Sequence, residues 1–326
     1  MEQVSGLSNW KFVIRRETDG ILILHATTCD KIATLPDELF GLPVTRLAHH
    51  ALSPNAKEVS GEEAFVTCGQ VTEESVWDNR QIHTLNLPKT ITHIEDYAFL
   101  NCVNLRELRL YDGVKDWGSC VFMNCRTLDT FHLTRISRQQ GGSLEFFNSE
   151  LSCDLDVTIQ EMDGQVGRLV FPAYREDYEE SISGHFFKYE IHGAGYPYHH
   201  VFRQRQLSIK DYDALWEHYI STECEKETAI RLAWYRLRWP LELSEDAEKQ
   251  YLNYLREQTA EAVRWLLTQR DQSNLRFLLQ RTEPDRETLS AACAVARENQ
   301  AAEALAILLE EQHRRFPVGV NKSFDL

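Results

Sequence analysis

Three short segments repeat one pattern at one spacing. Ile82-His83-Thr84-Leu85-Asn86-Leu87, Leu105-Arg106-Glu107-Leu108-Arg109-Leu110 and Leu128-Asp129-Thr130-Phe131-His132-Leu133 begin twenty-three residues apart. The agreement runs on past each segment, because Phe99, Asn101, Cys102 and Leu105 return as Phe122, Asn124, Cys125 and Leu128. A unit this short cannot bury its own apolar face. Stacking consecutive units buries a continuous core and demands a cap at each end. The repeat therefore commits this stretch to a solenoid, and it constrains function far less.

The flanks extend the pattern. Trp10, Phe12 and Ile14 share one face of a strand, Ile21 to Leu24 form a second, and Asp19-Gly20 between them is a hairpin signal. Leu35-Pro36-Asp37, the run Gly41 to Leu47, and Ala51-Leu52 echo Leu87-Pro88-Lys89, Ile91 to Ile94 and Ala98-Phe99, which predicts a first, capping repeat. Thr45, Leu47 and Ala51 stand forty-seven residues before Thr92, Ile94 and Ala98, about two periods. Ser53 to Gln81 is accordingly expected to replace one degenerate repeat with a polar, acidic loop. Within a clear repeat, Leu85 and Leu87 face inward from a short strand. Ile91, Ile94, Ala98 and Phe99 then fold back over it as a turn or short helix. From Leu155 the repeat is expected to decay into closing β segments: Leu155 to Ile159, Arg168 to Pro172 and Phe186 to Ile191.

At Ser208 the character becomes helical. Ser208-Ile209-Lys210-Asp211 is a capping box for a helix through Ile220. Glu225 to Trp239, stopped by Pro240, makes a second helix, and Ser244 caps a third through Glu257. Thr259 opens a fourth, and Ser273, Asp285 and Gln300 mark three more. Leu278-Leu279 and Leu308-Leu309, thirty residues apart, point to ankyrin-like pairs. L-x-x-L-x-L at this period is the leucine-rich-repeat pattern. The expected fold class is α+β, a short leucine-rich-repeat solenoid followed by an all-α helical-hairpin, ankyrin-like domain. Its expected divisions are 1–206 for the solenoid with an N-terminal β cap and C-terminal β closure, 207–316 for the helical repeat-like domain and 317–326 for a tail.

Composition narrows the partners. A formal net charge of −15 argues against nucleic acid and against anionic membrane surfaces. No apolar run approaches the ~20 residues that span a bilayer. Met1-Glu2-Gln3-Val4-Ser5-Gly6 shows neither a charged leader nor an apolar run, so the expected location is the cytoplasm. Eight cysteines without a C-x-x-C pair fit reduced thiols there.

Several residue groups invite chemistry. His185, His192, His199 and His200, among Gly193, Gly195, Tyr196 and Tyr198, are metal-ligand types. They lack the H-x-x-x-H helix spacing and an accompanying cysteine pair, so no metal or cofactor is expected. A metalloprotein or metal-dependent enzyme using this run is the alternative. Cys102 and Cys125 occupy one slot in adjacent coils, ~5 Å apart, as a redox pair or, by preference, as small hydrophobes in the core. Asn101 and Asn124 are expected to bond turn backbone. Arg231, Trp234, Tyr235, Arg236, Arg238 and Trp239 combine charge and stacking as nucleic-acid binders do. However, Ile230, Trp234 and Leu237 fall at i, i+4 and i+7, which makes a buried helix face with the arginines on the solvated side. The sequence contains no phosphate-cradling loop, G-x-S-x-G elbow or H-E-x-x-H helix. The acid pairs, such as Glu62-Glu63 and Glu73-Glu74, are expected on the surface, and no enzyme is expected. A positive candidate follows from the alternation itself. Thr84, Asn86, Glu107, Arg109, Tyr111, Thr130, His132 and Thr134 flank the inward leucines and face out on the concave sheet, the surface that solenoids commonly offer to protein partners. A merely solvated sheet is the competing reading.

Gly41-Leu42-Pro43-Val44-Thr45, Leu87-Pro88, Ile91-Thr92-His93-Ile94, Tyr97-Ala98-Phe99, Asn101-Cys102 and Phe122-Met123-Asn124-Cys125 closely resemble the BspA-type leucine-rich repeat, over about Phe12 to Leu133. The remainder, including Leu169 to Tyr174 and Ile191 to Tyr196, resembles leucine-rich-repeat proteins of gut anaerobic bacteria. The resemblance implies a protein-binding module without catalysis, and the expected function is an intracellular interaction scaffold that binds a protein partner through the concave face of the repeats, the helical domain, or both. Surface-displayed members of the wider family act in adhesion, so a surface adhesin is a further alternative.

Overall fold

A computed structural model describes residues 2–68, 71–72, 74–137, 142–180, 187–222, 224–269 and 272–317. The repeated segments are strands of one six-stranded sheet, in the order Ile32–Thr34, Thr84–Asn86, Glu107–Tyr111, Thr130–Thr134, Leu155–Gln160 and Val166–Phe171. The first five run parallel in one register, with Ala33 beside Leu85, Leu85 beside Leu108, Leu108 beside Phe131 and Phe131 beside Val157. All five side chains are buried. Side chains alternate across a strand, so this register stacks one apolar row through the coils. Leu87, Leu110, Leu133 and Ile159 form a second buried row. Burying each such side chain contributes about 1.5–3 kcal/mol.

Leu155–Gln160 keeps the parallel register, so the repeat does not decay at Leu155. It closes one strand later, where Val166–Phe171 turns back antiparallel.

In the coils that follow Thr84–Asn86 and Glu107–Tyr111, the return half is a short strand followed by turns, without a helix. His93–Ile94 and Asp116–Trp117 end a second sheet that runs from Glu2–Ser5 and Glu62–Thr67 through the hairpin of Trp10–Glu17 and Gly20–Thr28 and then Leu42–Leu47. In the turns, the N–H groups of Tyr97, Phe99 and Asn101 donate to the carbonyls of Ser119, Val121 and Met123 in the next coil. Donors committed to the next coil are not available for the i→i−4 bonds of a helix. The turns also force positive φ at His50, Tyr97 and Cys120 (60, 57 and 54°) and at Asn101 and Asn124 (66 and 63°).

The stretch 53–81 does not stand in for a coil. Leu52 N–H donates directly to Ala98 O at 2.8 Å, and Leu47 lies beside Ile94, so the coils on either side of this stretch are neighbours. The chain instead leaves the solenoid and lays strand Glu62–Thr67 antiparallel on Trp10–Glu17. It returns through a 3-10 turn at Asn79–Gln81. Asn79 is fully buried there. Its Nδ2 donates to Ala26 O (2.7 Å) and Leu52 O (2.8 Å), and its Oδ1 accepts from Thr28 N–H (3.0 Å).

Both ends of the six-stranded sheet are covered. At the first, Ser8 Oγ accepts from Thr34 N–H (2.9 Å) and Trp10 Nε1 donates to Thr34 O (2.8 Å). At the other, Tyr212 Oη donates to Val170 O (2.6 Å) and accepts from Val170 N–H (3.2 Å) on the last strand. Inside the stack, helix α1 (Ser143–Glu150) fills the slot after Thr134. Phe147 stacks on Phe131 with centroids 4.1 Å apart, and Phe146 stacks on Trp117 at 4.7 Å. The α1 N-cap is Gly142 with φ 72°, and the buried Asp112 carboxylate accepts from Ser143 in the first turn.

The chain divides into two units, Met1–Glu223 and Cys224–Leu326. The first also holds the hairpin of Arg175–Glu180 and Phe187–His192. Helices α2 (Ile209–Ala214) and α3 (Trp216–Ser221) follow it, where the capping box predicts a single helix. Ser208 caps α2, its Oγ accepting from Asp211 N–H, and Leu215 divides the two.

The second unit contains α4 (Lys226–Arg238), α5 (Glu245–Glu257), α6 (Thr259–Gln269), α7 (Gln272–Thr282), α8 (Arg286–Glu298) and α9 (Ala302–Arg315). α6 packs against both α4 and α8, while α7 packs against both α5 and α9, and α4–α5 and α8–α9 join the two rows. Ser244 and Asp285 cap α5 and α8. In α4, Ile230, Trp234 and Leu237 are buried as their spacing requires. The arginines do not form a solvated side. Arg236 is 0% exposed, and Arg238 lies over the Phe277 ring at 4.9 Å. α4 packs against both α5 and α6, so few of its faces reach solvent.

Candidate functional site

The six-stranded sheet places Thr84, Asn86, Glu107, Arg109, Tyr111, Thr130, His132 and Thr134 together on its outward face. The parallel register arranges them in rows across the strands. Thr84, Glu107, Thr130 and Asp156 form one row, and Asn86, Arg109, His132 and Thr158 form the next. Tyr111, Thr134 and Gln160 form a third. Consecutive rows are about 6.6 Å apart, two strand residues.

Side-chain bonds tie the first two rows together. The Glu107 carboxylate accepts from Arg109 Nε (2.7 Å), His132 Nε2 (2.8 Å) and Thr84 Oγ1 (3.1 Å). Burial favours the neutral acid, but the Arg109 bond and charge, with His132 and Thr84, outweigh it and hold the carboxyl below its ordinary value. Burial lowers the His132 imidazole. Glu107 works against that lowering, while Arg109 and Arg168 add to it. The result is a carboxylate clasped by an arginine and a neutral imidazole. Next to it, Asn86 Nδ2 donates to Thr34 Oγ1 at 2.9 Å.

Asp156, Thr158, Gln160 and Arg168 also belong to this face, Arg168 lying opposite Thr158. Ending the repeat at Leu133 misses them. The inward alternation of Leu155, Val157 and Ile159 is the signal that finds them. Glu107 and Asp156 are then matched by Arg109 and Arg168, in a chain whose net charge is −15. Hydroxyls and amides make up most of the rest.

The described members of the histidine run, His192, His199 and His200, do not form a ligand cluster. His192 lies on the hairpin, 3.2 Å from Asp177 and 3.9 Å from Glu190. His199 is buried on a 3-10 turn, with Nε2 at 2.9 Å from Pro172 O and Nδ1 at 3.2 Å from Asn148 O. Burial holds it below its usual pKa against the pull of those two carbonyls. His200 Nδ1 lies 2.8 Å from Tyr196 O, on whose ring it stacks. His185 lies outside the described residues. Among the described residues, no group of three or more His, Cys, Asp or Glu side chains is arranged to hold a metal ion. The adjoining Gly195 is needed for packing, because a Cβ there would overlap Pro172 O.

The cysteine slot is filled by thiols that donate to backbone. Cys102 Sγ reaches Leu52 O at 3.4 Å and Cys125 Sγ reaches Phe99 O at 3.1 Å. Burial pushes the Cys125 thiol up to about 12 and Cys102 well above its ordinary value, which suppresses the reactive thiolate. Asn101 and Asn124 differ from expectation. Their side chains bond each other, not the turn backbone, with Asn124 Nδ2 donating to Asn101 Oδ1.

The repeat geometry accords with a comparison to known families. Residues 70–163 match the BspA type leucine rich repeat region, in six copies. The match contains Thr84 to Thr134 and none of the second unit. Among solved structures, a leucine rich cell surface protein from Faecalibacterium prausnitzii A2-165 is similar at 19% identity over 45% of this chain and 30% of its own, with a TM-score of 0.25. The T. pallidum leucine rich repeat protein is similar at 17% identity over 37% of this chain and 68% of its own, with a TM-score of 0.22. This chain thus spans under a third of the length of the first. No curated protein matches the chain. Among the described residues, no helix is long and apolar enough to cross a membrane.

Proposed function

We propose that the chain is a non-catalytic interaction scaffold that binds a protein partner through the outward face of its six-stranded sheet. The observation that carries this reading is the bonding of Thr84, Arg109 and His132 to the Glu107 carboxylate. Side chains already fixed by one another lose less freedom when a partner docks, which leaves more of the contact energy as affinity. Leucine-rich-repeat proteins generally serve in protein interaction, and the match over 70–163 contains the whole of this cluster. Near-neutral charge on this face, against a strongly acidic chain, lets it approach partners of either sign.

The test is affinity purification with mass spectrometry from the native cell, comparing the full chain with Arg109→Glu plus Tyr111→Ala. The double variant is expected to lose the partner captured by the parent chain. Retention of every partner ends the reading for this face and moves it to the helical unit.

A further inference from the structure

Among the described residues, the hairpin of Arg175–Glu180 and Phe187–His192 is a sheet of two strands, and each strand keeps one edge with no other described strand beside it. Isolated two-stranded hairpins are marginal in water, and open edges are templates for pairing. One face of this hairpin exposes two aromatic rings and an aliphatic side chain around Glu176. Tyr178, Tyr189 and Ile191 are 63%, 41% and 39% exposed. The Tyr178 and Tyr189 rings lie 5.0 Å apart, and both hydroxyls donate to Glu176, at 2.9 and 2.8 Å. The opposite face is charged, with Lys188 paired to Glu190 (2.8 Å), and Arg175 and His192 paired to Asp177.

We propose that the chain forms a two-fold dimer in which strand Phe187–His192 pairs antiparallel with the same strand of a second copy, centred on Tyr189. Residues directly opposite one another across antiparallel strands share a face. Centring on Tyr189 places Tyr189 against its own copy on the aromatic face. On the charged face it places Lys188 of each copy against Glu190 of the other, so both contacts are attractive. Centring on Glu190 instead opposes two Glu190 carboxylates and sets Lys188 against His192. Centring between Tyr189 and Glu190 sets Tyr189 against a charged residue.

The first strand offers no such register. Arg175-Glu176-Asp177-Tyr178-Glu179-Glu180 opposes acid to acid when centred on Glu176, Asp177 or Tyr178. Centring the second strand on Ile191 sets Glu190 against His192, which attracts only when the imidazole carries a proton, so the charges on this strand favour the Tyr189-centred alignment. A two-fold contact of this kind closes on itself, and strand addition at an edge is an established mode of recognition.

Sedimentation velocity on the full chain tests this. The parent chain is expected to run at twice the chain mass. Lys188→Glu, which opposes Glu to Glu190 twice across the axis, is expected to weaken the dimer at least tenfold. Lys188→Glu with Glu190→Lys restores opposite charges and is expected to restore the dimer. A parent chain that stays monomeric at roughly 100 μM, far above the dissociation constant of a specific complex, overturns the proposal. Open-ended assemblies overturn it too, since they indicate pairing with the acidic edge. A folded double variant that remains monomeric also overturns it. Circular dichroism reports folding, and if the single variant fails to fold, the parent and the double variant decide the question.

Discussion

Asn124 Nδ2 donates to Asn101 Oδ1 at 2.6 Å, joining the same position of two successive coils. Both residues hold positive φ, a conformation that asparagine tolerates better than most L-residues. The ladder continues to Asn55, whose Oδ1 lies 3.4 Å from Asn101 Nδ2. Asn124→Ala loses the side-chain bond and strains the backbone, and it should destabilise the first unit by about 1–2 kcal/mol. Asn124→Gly relieves the strain and should recover roughly half of that. Urea unfolding, read by hydrogen exchange at the turn amides of Tyr97, Phe99 and Asn101, distinguishes the two.

Asn79 satisfies three buried backbone groups by itself. Asn79→Ala strands one N–H and two carbonyls, at about 1–3 kcal/mol each. The substitution should lower stability by at least about 3 kcal/mol. Limited proteolysis should then cut first within 53–81. Unchanged cleavage there would show that the excursion is held by other contacts.

His132 should titrate below the ordinary histidine range, in the direction its burial and the two arginines impose. Glu107→Gln removes the group that favours its protonation and should lower the pKa further. Arg109→Gln removes an opposing charge and should raise it. Proton NMR of the imidazole in the three proteins gives the order directly.

His199 is almost fully buried, and burial lowers its pKa in the folded chain. Its unfolded value lies near 6.5. The unfolded state therefore binds the proton first, and folding stability falls as pH drops below about 6.5. The loss stops once pH passes below the folded pKa, and above 6.5 this residue has no pH effect. His199→Gln should flatten this dependence below about pH 6.5 while lowering stability throughout, because the packed imidazole and its N–H bond to a backbone carbonyl are lost. Thermal melts at closely spaced pH values check both parts.

The solenoid is legible in the sequence because its energetics are local and periodic. Leu85, Leu108 and Phe131 recur at a fixed spacing, and that spacing sets both the buried row and the outward one. Features that depend on partners distant in the chain are not legible in this way. The route of 53–81 is decided by Asn79 bonding Ala26, Thr28 and Leu52, which no local pattern encodes. Helix α1 escapes detection because Gly142 supplies no side-chain cap and Asp112, thirty residues earlier, supplies the acceptor. Arg236 carries the sequence marks of a surface residue, yet it is buried because α4 has neighbours on more than one side. On the outward face, alternation alone identifies eight residues. Asp156, Thr158, Gln160 and Arg168 require the recognition that Leu155 begins another coil.

The edge of the sheet at Thr34 has a consequence for how this molecule can change size. Ser8 and Trp10 occupy the N–H and carbonyl of Thr34, and Val166–Phe171 reverses direction at the far end. At that far end Tyr212 Oη bonds both the N–H and the carbonyl of Val170, so a coil added at either end of the sheet would have to displace a capping side chain. Lengthening must therefore occur by insertion between existing coils, where each new Leu row meets an identical one above and below. The span of the outward face, and with it the footprint available to any partner, is set by the number of coils held between the two caps. Descendants with larger footprints would carry extra copies of the Leu105–Leu128 unit in the middle, with unchanged ends.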